Sequence, residues 1–219
     1  FNEGASHRIV DLAECHILLP ELFALLAPLR GLLGGLMRDR RSAGVQLTLA
    51  DQGVDVLLDK IKAEGLGPAE ALTDFAQAHR LARLSLDDGD GVQPRWEPEP
   101  VTVTLGGVAV PLPVAGFLQA TADGEAALLA AVRAAVGEAG AIADLFAGLG
   151  TFALPLSGTA KVYAAEGARD VALALKAAAG RVQRQMLVEH RDLFRRPLDA
   201  KELARFDALV LDPPRAGAR

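Results

Sequence analysis

The stretch AIADLFAGLGT, residues 141–151, constrains the fold more than any other part of the chain. Residues 141–146 are apolar except for Asp144, a composition that suits the end of a short buried parallel strand. Gly148 and Gly150 then break the run, and residues 151–156 resume in helical rhythm. With no Cβ, a glycine turn lets a ligand come close to the backbone while free N–H groups of the following helix face it. Strand, glycine turn and helix in that order form the mouth of a nucleotide-type pocket. Gly148, Gly150 and Ala153 also satisfy the spacing G-x-G-x-x-G/A, and Glu166 closes the next strand, KVYAAEG, where an acidic group takes ribose hydroxyls. A glycine loop that merely packs a helix on a sheet has the same spacing, so the motif needs company.

The surrounding pattern supplies it. Strands at 141–146, 162–166, ending near Asp192, and at 206–211 alternate with helices at 151–156 and 168–179. That alternation reads as a Rossmann-like doubly wound parallel sheet, with ligands at the strands' carboxyl ends. Thr121 or Asp123 caps an alanine-rich helix that leads into it.

Upstream the pattern changes. Helices at 20–26 and 28–37 each open on a proline, a hairpin at 45–58 turns at Asp51-Gln52-Gly53, and a helix over 68–79 presents Ala71, Leu72, Phe75 and Ala78 on one face. Strands at 80–86, 101–105 and 108–112 complete a small α+β domain. The polar stretch DDGDGVQPRWEPEP lacks an oxygen donor at Val92 and a glycine at Gln93, so it is a turn and a proline-stiffened edge segment rather than a calcium loop. The expected organisation is a remnant at 1–16 with a strand at 9–12, a central α+β domain at 17–115 and a ligand-binding domain at 116–219.

Bulk properties narrow the class. Half the residues are hydrophobic (51%), enough for two small cores, and the net charge of -5 does not announce a nucleic-acid binder. Basic residues cluster at Arg38, Arg40 and Arg41 and at Arg181, Arg184, Arg191, Arg195 and Arg196, where solvated helix faces are the simplest reading. The single cysteine, Cys15, excludes an internal disulfide and fits a reducing cytoplasm. The apolar run 17–37 contains Pro20, Glu21, Pro28 and Arg30, so it reads as packed helices rather than a membrane span. No metal-binding spacing joins His7, His16, His79 and His190. The opening at Phe1 and the stop after DPPRAGAR suggest a segment of a longer protein.

Four strand ends now carry a polar group or a glycine turn: residues 146–151, Glu166, Asp192 and Asp212. In a doubly wound sheet they converge on one crevice, where Glu166 takes ribose hydroxyls, Asp192 an adenine amino group, and Asp212 stands beside the reacting end. Pro213 and Pro214 fix the backbone after Asp212, a device for placing a planar substrate.

With these residues in view, the chain resembles the S-adenosylmethionine-dependent RNA 5-methyluridine methyltransferases, especially the iron–sulfur members that modify 23S ribosomal RNA. GFLQAT is similar to the family's F-x-Q-x-N, DLFAGLGTFALPL to D-L-F-C-G-x-G-x-F-x-L-P-L, and FDALVLDPPRAGA to F-D-x-V-x-L-D-P-P-R-x-G. IVDLAECHILLPEL resembles the segment holding the last cysteine of a four-iron four-sulfur cluster. The resemblance implies Gln119, Phe146, Thr151, Glu166, Asp192 and Asp212 as S-adenosylmethionine contacts and Cys15 as a cluster ligand. It further implies RNA as partner, ribosomal rather than transfer RNA, in a cytoplasmic monomer with no membrane contact.

Departures accompany it. Thr121 stands where the family has Asn, Ala147 where it often has Cys, and LKAAAGRV lacks an Asn usual after the third helix. The family's chemistry adds a thiolate to uracil C6, lets C5 attack the methyl group, and then removes the C5 proton. The resemblance puts that nucleophilic cysteine and its glutamate base beyond Arg219, and three partner cysteines and an RNA-binding barrel before Phe1, so this segment alone is expected to be inactive. Two other readings remain: a non-catalytic RNA- or cofactor-binding module, and an amino-group methyltransferase. The second has an aromatic residue after the prolines, where this chain has Arg215.

Overall fold

The computed structural model describes residues 4, 6, 8–37, 42–182, 184–214 and 217. His7, the Arg38–Arg41 cluster and Arg215 lie outside the described residues. The first half begins with helices α1 (Pro20–Ala24) and α2 (Leu26–Leu36), then strands β1 (Gly44–Ala50) and β2 (Gly53–Asp59), helix α3 (Leu66–Ala78), and strands β3 (Arg83–Asp87) and β4 (Val92–Trp96). The sheet order is β1-β2-β3-β4, with β2 and β3 parallel across the α3 crossover and both outer pairs antiparallel. Gly53 adopts φ +131°, and a Cβ there would lie 3.0 Å from the Arg80 carbonyl, so the β1–β2 turn requires glycine. β4 is an edge strand and contains Pro94, which has no N–H to offer a further neighbour.

Leu22, Leu25 and Leu29 from the helices pack with Val56, Leu58, Leu72, Ala76 and Leu84 in a core beneath this sheet. The buried stripe of α3 is Leu72 and Ala76 with Phe75 beside them; Ala71 and Ala78 are exposed, contrary to the expected face. The stripe follows where β3 and β4 lie, and alanine's small side chain gives no periodic signal of its own. The strand expected at 9–12 reduces to a single bridge residue at Ile9.

Strands β5 (Thr102–Leu105) and β6 (Val108–Pro111) form a separate hairpin turning at Gly106-Gly107. Its inward residues, Val103, Leu105, Val108 and Val110, belong to the same apolar core as the parallel sheet that follows. Gly106 at φ +56° lets the turn press on Pro155, 2.8 Å from where a Cβ would stand. On the other side, the buried Arg83 grips both oxygens of Asp55 at 3.0 and 2.6 Å and donates to the Leu112 carbonyl at 3.0 Å.

The second half comprises α4 (Ala122–Val136), β7 (Ala141–Leu145), α5 (Ala153–Leu156), β8 (Lys161–Glu166), α6 (Arg169–Arg181), β9 (Met186–His190), α7 (Ala200–Leu203) and β10 (Ala208–Leu211). Thr121 caps α4 by accepting the Gly124 N–H at 3.2 Å. All four strands are parallel, in the order β10-β7-β8-β9. Moving outward from β7 to β9, right-handed crossovers place α5 and α6 on one face, and the return to β10 places residues 193–206 on the other. Side chains alternate accordingly: Ile142, Val162 and Ala164 face the first layer, and Ala143, Leu145, Tyr163 and Ala165 face Leu193, Leu198 and Phe206. This is the expected α/β doubly wound architecture.

The basic cluster at 181–196 is a solvated face only in part: Arg181, Arg195 and Arg196 are exposed. Arg191 is buried and holds Glu202 through two hydrogen bonds at 2.7 and 2.9 Å, while Arg184 donates to the Leu154 carbonyl at 2.8 Å. Glu202 also closes a capping box with Asp199, which defines the short α7 that the sequence pattern did not mark.

Candidate functional site

The strand order reverses direction at β7, whose neighbours β8 and β10 are approached from opposite senses. In an open α/β sheet this switch point opens a crevice at the carboxyl ends of the strands. Residues 146–151 cross it. Phe146 takes φ +62°, Gly148 +56° and Gly150 +96°, so the chain turns sharply out of β7. A Cβ on Gly150 would stand 2.5 Å from Leu175 Cδ1 of α6, which is why the turn can sink onto that helix. A Cβ on Gly148 would meet nothing within 4 Å, so that part of the turn faces open space. The N–H groups of Leu149 and Thr151 have no acceptor among the described residues.

Glu166 ends β8 and braces the turn: one carboxylate oxygen accepts the Gly148 N–H at 2.9 Å and the other the Ala168 N–H at 2.7 Å. Each oxygen retains a lone pair for a ligand hydroxyl. Asp192 follows β9 by two residues and accepts the N–H groups of Phe194 and Arg195 at 3.0 and 3.2 Å. That turn lifts the Phe194 ring to 5.4 Å from Phe146, making an exposed aromatic flank for the crevice. Asp212 follows β10, its N–H reaching toward the Leu145 carbonyl at 3.4 Å, and its side chain is exposed. Strand register therefore sets Phe146, Glu166, Asp192 and Asp212 side by side on one edge, with Thr151 at the exit of the turn.

Two anticipated residues belong to segments other than these strand ends. Gln119 is half-buried in the segment before α4 and makes no hydrogen bond to it. Cys15 precedes α1, where its sulfur accepts the Leu18 N–H at 3.4 Å. Among the described residues no group of three or more His, Cys, Asp or Glu could hold a metal, and one thiol does not supply the four ligands a four-iron cluster requires.

The sequence reading did not assign Asp144, which lies beneath the turn on β7. It is fully buried, and neither carboxylate oxygen has a hydrogen-bond partner. Burial pushes its pKa up to about 7; the Ala153 N–H relieves this without closing a hydrogen bond, and the nearby charges of Asp212 and Glu166 add to it. The signal was one charged letter in an otherwise apolar strand. Phe194 was missed for a different reason, since nothing local distinguishes it from a surface aromatic.

An open depression of about 810 Å³ lies at the other sheet, between Asp59, Lys60, Lys62, Asp87 and Asp88. Asp87 and Asp88 each give one carboxylate oxygen to their own turn, accepting the Gly89 and Asp90 N–H groups. No helix among the described residues is long and apolar enough to cross a membrane.

Comparison with known proteins agrees with this geometry. No family model matches the chain. A protein of Zymomonas mobilis named as an uncharacterized RNA methyltransferase is 52% identical over 219 residues, covering all of this chain and 55% of its own length. The 23S rRNA (uracil(1939)-C(5))-methyltransferase RlmD of Edwardsiella ictaluri is 32% identical over the whole chain and 50% of its own. The crystal structure of the Pyrococcus abyssi tRNA (uracil-54, C5)-methyltransferase with S-adenosyl-L-homocysteine superposes on 97% of this chain and 55% of its own, with a TM-score of 0.69 at 19% identity, and supports the fold. The chain spans about half the length of the relatives it matches. Matched from end to end in this way, the chain is similar to about half the length of proteins named as RNA methyltransferases and shares the fold of one of them.

Proposed function

We propose that these residues form the donor-binding part of an S-adenosylmethionine-dependent enzyme that methylates C5 of uridine in RNA, with 23S ribosomal RNA as the substrate. The observation that carries the reading is the meeting of the glycine turn, Glu166, Asp192 and Asp212 at a single switch point. Glu166 holds the ribose hydroxyls while bracing the turn. Phe146 and Phe194 flank the adenine, and Asp192 accepts from its amino group. The donor's methionine end lies over Gly148, where the backbone is open. Asp212, rigidly followed by Pro213 and Pro214, places the uracil edge against the methyl group. Thr151 and Gln119 complete the donor contacts.

Cys15, the one thiol of the chain, belongs to the segment before α1 rather than to the sheet edge. Residues 1–219 therefore bind the donor without transferring its methyl group, and the reacting thiolate comes from elsewhere in the whole protein. Cys15 serves there as a cluster ligand, with the other thiols supplied from outside these residues.

The test is methyl transfer from radiolabelled S-adenosylmethionine to 23S rRNA by the whole protein, with 5-methyluridine identified after nuclease digestion. Label in a methylated exocyclic amine instead would replace this reading with the amino-group one. Transfer RNA as the sole acceptor would keep the chemistry and overturn the substrate.

A further inference from the structure

Asp144 is the buried carboxylate at the switch point, and neither of its oxygens closes a hydrogen bond. Its oxygens are enclosed, yet Glu166 on β8 and Asp212 just after β10 bring two more negative charges to the same edge. Among the described residues no cation offsets them. The turn at 146–152 and helix α5 contain no ionisable group. Arg133 from α4 is turned to the Pro155 carbonyl and Arg184 to the Leu154 carbonyl, and neither bonds Asp144. From α6, Arg169, Asp170 and Lys176 are exposed and Arg181 reaches the Ala109 carbonyl. From β9, His190 contacts the Gly167 carbonyl, and Glu189 serves Tyr163 on the opposite face of the sheet.

An enclosed carboxylate that closes no hydrogen bond and faces no counter-charge keeps its proton. A ligand bearing net positive charge removes that reason. S-adenosylmethionine has a sulfonium and an ammonium against one carboxylate, whereas S-adenosylhomocysteine lacks the sulfonium and is neutral overall. We infer that Asp144 is a proton-linked charge sensor of the donor site: entry of the cationic donor drives the proton from its carboxyl group to solvent, and conversion to the neutral product lets the proton return. The O–H bond of the carboxyl breaks on donor binding and re-forms on product formation, with buffer as the acceptor and the source. The linkage favours exchange of product for fresh donor, because only the donor pairs with the ionised form. It rests on the donor-site reading above.

Calorimetry of the protein with each ligand, in buffers of different ionisation enthalpy, measures the proton count. The donor should release about half a proton per site at pH 7, and more at pH 6, while the product releases distinctly less. Asp144→Asn, neutral and of the same shape, should bind donor with a buffer-independent enthalpy. Infrared difference spectra give a second readout: a protonated carboxyl band present before donor addition, lost on adding it, and absent from Asp144→Asn. Equal release with donor and product, or none with either, overturns the linkage while leaving the donor site standing. Failure of the donor to bind at all overturns the donor-site reading, and the linkage with it.

Discussion

Two aspartates are buried about equally deeply in this chain and are treated in opposite ways. Asp55, in the first sheet, receives a two-pronged grip from Arg83, itself tied to the Leu112 carbonyl. Asp144, in the second, closes no hydrogen bond and has only the Ala153 N–H nearby. The first sheet satisfies its charge internally, as a scaffold does, and the second leaves its charge unserved at the place where a ligand is to sit. Desolvating a carboxylate is costly wherever it happens, so the difference marks which sheet expects outside help.

Removing the partner from the satisfied site should produce the largest effect. Arg83→Met leaves Asp55 enclosed without a counter-charge and should cost about 3–5 kcal/mol by urea denaturation, whereas the joint replacement Asp55→Leu with Arg83→Met should recover most of the loss. Persistence of full stability in the single variant would dissolve the contrast.

The unserved site should respond in the opposite sense. Because the folded protein holds the Asp144 proton to about pH 7 and the unfolded chain releases it near 3.8, the folded state binds more protons between those values. Stability therefore falls as pH rises through that window, by roughly 4 kcal/mol in all, and is flat above it. Asp144→Asn should gain about that much at pH 8 and nothing at pH 3, read from melting temperatures across the range. A gap independent of pH would show that the carboxyl is served after all.

Gly150→Ala tests whether the turn needs its depth. With φ +96° and Leu175 at 2.5 Å, the added methyl should cost about 1–3 kcal/mol and weaken donor binding by more than the stability loss explains. The smallest effect belongs to the first sheet's one lapse, the buried Ser85 hydroxyl without a partner. Ser85→Ala should lie within about 1 kcal/mol of wild type and on the stabilising side.

These contrasts also show what the amino-acid sequence conveys. The strands, the glycine turn and the hairpins at Gly53 and Gly106 are local matters of alternation and backbone freedom, and they were legible. Register then brought Glu166, Asp192 and Asp212 together because parallel strands of similar length end together. The α3 stripe, the burial of Arg191 and the allegiance of the β5–β6 hairpin to the second core were not legible. Each depends on which surface arrives from a distant part of the chain, and an alternating hairpin reads the same against either sheet. Asp144 was visible as a letter, but its lack of a partner belongs to the assembled fold.

The grip of Arg83 on Asp55 and on the backbone leaving the hairpin has one more consequence. Together with the hydrogen bonds that join Asp51 and Gln52 to Thr102 and Thr104, it links the first sheet to the hairpin that packs on the parallel sheet, so the halves are fastened by contacts inside the protein rather than by a strip of chain. The only tryptophan, Trp96, sits in one half and the only tyrosine, Tyr163, in the other. Melting followed at the two chromophores should give superimposed curves in the natural sequence and two separated curves once Arg83, Asp51 and Gln52 are replaced together.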